Sequence, residues 1–204
     1  MTRRDVVVLD YGFGNIRSAQ RALERAGAAV EVTADLSRAT ECDGLVVPGV
    51  GAFEACMRGL DALGAPEAIR RRIAAGRPVL GICVGMQVMF QGGIEHGVPS
   101  VGIGAVGGRV ERIHADVLPH MGWNTVSAPA GSPLLAGLDA DTRFYFVHSY
   151  AAKSTDADVQ VATCEYGEPF IATIERGALS ATQFHPEKSG DAGAHLLANW
   201  METL

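Results

Sequence analysis

The chain has 204 residues, is 48% hydrophobic and 20% charged, and carries a formal net charge of −6. That length supports one sizeable core, so a single domain spanning 1–204 is the expectation. The acidic balance excludes a nucleic-acid footprint, and no stretch is apolar for long enough to suggest a membrane span.

The opening residues, Met1-Thr2-Arg3-Arg4-Asp5, lead straight into an apolar run too short for a signal sequence. The cysteines, Cys42, Cys56, Cys83 and Cys164, form neither a Cys-x-x-Cys pair nor a Cys/His cluster with zinc spacing. A cytoplasmic, reduced protein with at most one reactive thiol is expected.

In chain order, Val6-Val7-Val8-Leu9 is a buried-strand run that ends at the glycine-rich turn 10–15. Residues 16–26 read as a helix with Ile16, Ala19, Ala22, Leu23 and Ala26 on its inner face and Gly27 as its C-terminal cap. Gly12-Phe13-Gly14 is not a dinucleotide fingerprint, because the third glycine would fall at Arg17. A second strand spans 29–33, a short helix or connection 35–40, and a third strand 44–47. Pro48-Gly49-Val50-Gly51 follows at once. Helices are expected over 53–60 and 66–75, the second opened by Pro66. Its Arg70-Arg71-Arg72 run reads as a solvated face. Alternation of strand and helix implies a parallel sheet, with functional loops at the carboxyl ends of its strands.

Residues 79–82 form the next apolar strand, and it stops at Cys83. From Val84 onward Met86, Met89 and Phe90 recur at helical spacing. Gly81-Ile82-Cys83-Val84-Gly85 has the mechanics of a nucleophile elbow: flanking glycines let strand and helix approach closely, and the apical side chain is pushed out. The helix N-terminus beneath the sulfur favours thiolate. The ordinary alternative is a small apolar cysteine closing a strand.

After residue 100 the pattern changes to glycine-rich stretches and short β segments: 111–113, 119–124, 144–150, 160–164, 170–175 and 179–184. Turn signals at Tyr166-Gly167 and Glu175-Arg176-Gly177 predict hairpins. A helix over 190–202 closes the chain, with Ala194, Leu197, Ala198 and Met201 as its stripe.

A nucleophilic cysteine needs a base, and the base works better when a third group orients it. Gln183-Phe184-His185-Pro186-Glu187-Lys188 offers both. Pro186 biases His185 towards an extended conformation, which would put His185 and Glu187 on one face. The other histidines, His96, His114, His120, His148 and His195, read as surface or structural. Attack on an amide creates an oxyanion that needs preorganised N–H donors. The Val84 N–H is placed to serve. A second donor could come from Val50, since the glycines around it let the Gly49–Val50 peptide turn over.

Together, Gly81-Ile82-Cys83-Val84-Gly85-Met86-Gln87 and His185-Pro186-Glu187 resemble the class I (triad) glutamine amidotransferases. The resemblance implies an α/β, flavodoxin-like domain: a mostly parallel central sheet flanked by helices, with extra antiparallel β segments in the C-terminal half. It implies a glutaminase that works through a thioester, with Cys83 as nucleophile, His185 as base, Glu187 as its orienter, and Val50 and Val84 as oxyanion donors. Gly51, Gln87, Glu95, Ser149 and Tyr150 resemble glutamine-holding positions. Four further stretches, 10–15, 48–53, 119–124 and 144–150, resemble the members that pass ammonia to a (β/α)₈ cyclase in histidine biosynthesis, as one subunit of a heterodimer. Asn15, Met121, Trp123 and Lys188 then resemble partner-facing positions, and no cofactor or metal is implied. The family often carries a proline where this chain has Gly104-Ala105-Val106-Gly107-Gly108, so a looser loop is expected there. A glutaminase serving the pyridoxal phosphate or purine pathway, or a non-catalytic module of the same fold, are the alternatives.

Overall fold

The computed structural model describes residues 3–204. Up to residue 87 strands and helices alternate: β1 (Asp5–Leu9), α1 (Ile16–Arg25), β2 (Ala29–Thr33), α2 (Leu36–Glu41), β3 (Gly44–Gly49), α3 (Phe53–Leu63), α4 (Ala65–Ala74), β4 (Val79–Cys83) and the single turn α5 (Val84–Gln87). The strands pair in parallel in the order β4-β3-β1-β2. A sheet covered on both faces needs strands that are apolar throughout. Val6 to Leu9 are accordingly unexposed, and β3 and β4 are buried along their whole length.

The rest of the chain is mostly strand: β5 (Gly92–Glu95), β6 (Val98–Val101), β7 (Arg109–Arg112), β8 (His120–Thr125), β9 (Arg143–His148), β10 (Tyr150–Ala152), β11 (Gln160–Tyr166), β12 (Glu168–Arg176) and β13 (Leu179–Thr182), followed by α6 (Gly190–Met201). β13 runs parallel to β4, and β12 and β11 extend the sheet antiparallel, through the turns foreseen at Gly167 and Gly177. The result is a seven-stranded sheet, β11-β12-β13-β4-β3-β1-β2. A four-stranded sheet, β10-β7-β5-β6, and the antiparallel pair β8-β9 lie apart from it. None of the described helices is long and apolar enough to cross a membrane.

Five expectations need correction. The helix after Cys83 lasts one turn, because Met86, Val88, Met89 and Phe90 are all fully buried and no face is left for solvent. The β5-β6 pair, joined at the left-handed His96 and Gly97, had too short and glycine-rich a pattern to announce itself. In α6 the buried residues are Gly193, Leu196, Leu197, Trp200 and Met201, whereas Ala194 and Ala198 are exposed. Gly193 lies against the Pro186 carbonyl with no room for a Cβ, and this close approach sets the rotation of the helix. Arg72 is not solvated: it is 3% exposed and donates to the carbonyls of Ala39, Thr40, Cys42, Asp43 and Pro78. It staples the loop between α2 and β3 to the start of β4. Finally, the loop lacking proline is held firmly. Ile103, Gly104 and Val106 donate to the carbonyls of Val88, Phe90 and Met89, and Gly107 donates to Asp156 at 2.7 Å.

Candidate active site

Cys83 ends β4 and caps α5 with φ 57° and ψ −113°, a conformation that costs a non-glycine residue energy and persists only when its surroundings impose it. Those surroundings are three glycines. A Cβ on Gly81 would lie 2.7 Å from the Gly85 carbonyl; one on Gly85 would strike the Val47 carbonyl; one on Gly49 would strike the peptide between Val84 and Gly85. β3 and β4 also share register here, with Gly49 opposite Cys83. The oxyanion candidates Val50 and Val84 are thereby brought to one place. The N–H groups of the first turn of a helix have no partner inside it and are free to face an anion.

The histidine arrives from β13. His185 donates its backbone N–H to the Tyr145 carbonyl at 2.9 Å, and Ser189 Oγ links the His185 carbonyl to the Tyr145 N–H. The chain then turns through a single 3-10 turn, Pro186–Lys188. The expected extended pair is therefore corrected: His185 alone is extended, and the turn, closed by the Lys188 N–H to the His185 carbonyl, folds Glu187 back. The contact survives, with His185 Nδ1 and Glu187 Oε1 2.7 Å apart and both side chains 2% exposed. Because the carboxylate accepts a hydrogen bond from Nδ1–H, Nε2 is left for the thiol. Burial pushes the imidazole down, but hydrogen bonding and charge from Cys83 and then Glu187 outweigh it and raise the group to about 10. Protonation of His185 is thus favoured.

Cys83, Val84, Val50, Gly51, Gln87, Glu95, Ser149, Tyr150, His185 and Lys188 all line one cleft of 540 Å³. Several foreseen substrate positions are nonetheless occupied by internal bonds. Glu95 accepts the Phe53 N–H at 2.8 Å and so caps α3, whose own N-cap residue, Ala52, makes no side-chain bond. Gln87 Nε2 donates to the Tyr150 carbonyl at 2.8 Å and to Gln183 Oε1 at 3.0 Å. Asn15 is half-buried, and its amide approaches Glu187 Oε1 at 3.4 Å, so it touches the triad as well as the surface. Met121 and Trp123, on β8, are 65% and 52% exposed and do not line the cleft; Trp123 is edge-on to Tyr145. Lys188 is exposed, its Nζ 5.9 Å above the Tyr145 ring.

Three contributors escaped the sequence reading. Gln183, wholly buried, places its Nε2 3.9 Å from Cys83 Sγ. The same two-residue spacing that paired His185 with Glu187 would have found it. Tyr11 donates its hydroxyl to the Pro48 carbonyl at 2.5 Å, and the Cys56 thiol lies 3.4 Å from the Val50 carbonyl. These two pin the loop on either side of the Gly49–Val50 peptide. Burial pushes the Tyr11 phenol far up and the Cys56 thiol up to about 11, so both stay protonated donors. Of the four cysteines, all free and buried, only Cys83 lines the cleft.

A strained cysteine between strand and helix, paired with a buried histidine and carboxylate, is the apparatus of thiol acyl transfer. Residues 7–204 match the family described as Glutamine amidotransferase class-I. The chain belongs to that family. It is 61% identical to the imidazole glycerol phosphate synthase subunit HisH of Nocardia farcinica and 59% identical to that of Streptomyces avermitilis. The first match covers all of both chains; the second covers all of this chain and 98% of the relative. The Mycobacterium bovis protein of the same name is 60% identical over the full length of both chains. A solved glutamine amidotransferase superposes with a TM-score of 0.77 at 20% identity, covering 97% of each chain, which bears on the fold alone.

Proposed function

We propose that this chain is the glutaminase subunit of an imidazole glycerol phosphate synthase, a cytoplasmic single-domain protein that pairs with a (β/α)₈ cyclase. The observation that carries the reading is the strained Cys83 beside the buried His185–Glu187 pair at the floor of the cleft. Full-length identity near 60% to HisH subunits supports the choice of synthase over the pyridoxal phosphate and purine alternatives.

Cys83 thiolate attacks the side-chain amide carbon of L-glutamine, and the developing oxyanion is held by the N–H groups of Val84 and Val50. The imidazolium of His185, oriented by Glu187, gives its proton to the departing nitrogen, and ammonia leaves. Water, deprotonated by His185, then attacks the thioester, and glutamate and the thiolate are released. Gly51, Glu95, Ser149 and Gln87 shape the glutamine site. Ammonia crosses the interface to the cyclase, where it reacts with the ribulosyl intermediate to give imidazole glycerol phosphate and aminoimidazole carboxamide ribotide. Asn15, Met121, Trp123 and Lys188 face that partner.

Ammonia released without a waiting acceptor is wasted, so turnover is low in the isolated subunit. Tyr11 and Cys56 hold the loop on both sides of the Gly49–Val50 peptide, so this one peptide can rotate while its neighbours stay fixed. Partner and ligand populate the rotated state. Glutamate formation measured for the subunit alone, with the cyclase, and with the cyclase plus a substrate analogue tests this. The expected order is low, higher, highest; equal rates in all three would overturn it.

A further inference from the structure

His120 and His148 lie directly opposite each other in the β8-β9 pair, 3% and 6% exposed, and the triad does not use them. Their hydrogen bonds fix one another's direction. His148 Nδ1 is 3.0 Å from the Tyr150 carbonyl, which can only accept, so Nδ1 carries the proton and Nε2 accepts. His120 Nδ1, 3.1 Å from that Nε2, must then donate, which leaves His120 Nε2 to accept from the Asn124 amide at 3.4 Å. Asn124 is itself fixed in this sense, because its Oδ1 accepts the Thr125 N–H and its Nδ2 donates to the Glu165 carbonyl. At the other end the Tyr150 carbonyl receives a second donor, Gln87 Nε2. Gln87 reaches Gln183, and Gln183 reaches Cys83 Sγ. Both lone pairs of that carbonyl are thus committed, so it is a strut of the cleft wall and not a contact for glutamine.

We propose that His120 and His148 are positioning residues for the glutaminase reaction: they form a one-way hydrogen-bond relay from Asn124, beside the exposed Trp123, to the Tyr150 carbonyl, and so fix the Gln87–Gln183 wall behind Cys83. The role rests on the glutaminase reading above. The setting suits a relay that must keep its direction. His120 is sandwiched between Phe146 and Tyr166, with ring centroids 4.8 and 3.9 Å away, so its ring cannot turn over without breaking both stacks. Burial pushes His120 down to about 4 and His148 to about 3, so both rings stay neutral at working pH, and a neutral ring has one donor and one acceptor. Strand β8 carries both the start of the relay and the apolar pair Met121 and Trp123, so a partner seated on that strand presses on one end of the chain of bonds.

The test sets packing against hydrogen bonding. His120→Phe keeps the aromatic stack but donates nothing to His148. His120→Asn loses the stack but puts an amide N–H near the position of Nδ1. Assayed in the complex with the cyclase, His120→Phe should raise KM for glutamine about tenfold, the worth of one net hydrogen bond, with kcat changed by less than about threefold. His120→Asn should recover most of that KM, although its Tm should fall below that of His120→Phe by roughly 3 °C. If KM follows the Tm order, with Asn worse than Phe, or if both variants keep the wild-type KM, the role is purely structural and the proposal fails. Nitrogen-15 NMR of the imidazoles in the wild-type protein reads the relay independently of folding defects. Both rings should be protonated at Nδ1, the minor tautomer in water, and an Nε2–H ring at either position would overturn the relay. Wild-type complex that releases no ammonia from glutamine would instead overturn the glutaminase reading itself, and the role with it.

Discussion

Around Cys83 sterics leave no freedom: Gly49, Gly81 and Gly85 each exclude a Cβ, and the thiol sits in a backbone conformation that its neighbours impose. On the exposed surface the opposite holds. Val117, Met121 and Trp123 expose 67%, 65% and 52% of their surface, and Val50, just past the end of β3, exposes 36%. Only Val50 of these lines the cleft; exposed apolar residues such as Met121 and Trp123 are what the proposed docking of a partner on β8 would cover. The difference teaches a division of labour. On the proposed function, chemistry is built into the packed junction of β3, β4 and α5, and control is left to the surface that a second protein would touch.

The sharpest way to break that division is at the thiol. Cys83→Ala should reduce glutamine hydrolysis in the complex by on the order of 10⁴-fold or more, because removing the nucleophile leaves only binding and oxyanion stabilisation. Near-wild-type ammonia release would show that the junction is packing and nothing else.

Glu187→Gln comes next. It keeps the shape but releases the Nδ1 proton from its anionic acceptor, and kcat should drop by about 10²–10⁴-fold, measured as glutamate formed. The same pair makes a pH prediction. His185 is raised in the fold to about 10 from a reference of 6.5. A raised group stabilises fully below its unfolded value and loses that contribution as pH climbs through its folded value. Urea midpoints should therefore fall between about pH 6.5 and 10. Cys83→Ala, which removes the larger raising contact, should narrow that window.

Gly85→Ala probes sterics without touching a functional group. Its methyl meets the Val47 carbonyl, a backbone atom that cannot swing aside, so a loss of about 3 kcal/mol in urea unfolding is expected. Trp123→Ala does the reverse. A half-exposed ring gives little to the fold, but as an interface anchor it should cost about 2 kcal/mol, roughly 30-fold in Kd, when cyclase binding is titrated by calorimetry. If Trp123→Ala unfolded the chain and left binding intact, this face of β8 would belong to the core.

The smallest effect concerns α6, and it also marks how far the sequence could be read. Ala194→Gln should change stability by less than about 0.5 kcal/mol, since the residue is exposed. The sequence stripe had put it inside. That error has a physical source: helical spacing locates a face only to within a residue or so, and the rotation here is set by Gly193 against the Pro186 carbonyl, a contact across the fold. The same limit explains Arg72, whose charge reads as solvated until five carbonyls, from the end of α2, the α2–β3 loop and Pro78, are seen around it. By contrast, the elbow, the parallel strands and the His185–Glu187 pair were legible, because each rests on neighbours one to four residues apart. Tyr11 and the His120–His148 relay were not, because their partners lie 37 and 28 residues away, whereas Gln183 was within reach of the spacing that paired His185 with Glu187 and was passed over.

The central claim is that one thiol among four is the glutamine nucleophile, and covalent labelling tests it most directly. The complex with the cyclase and its substrate analogue is treated with an electrophile shaped like glutamine, then digested and examined by mass spectrometry. The expected result is a single adduct on Cys83, blocked by excess glutamine. An adduct on Cys42, Cys56 or Cys164 with Cys83 unmodified, or no adduct at all, would contradict it.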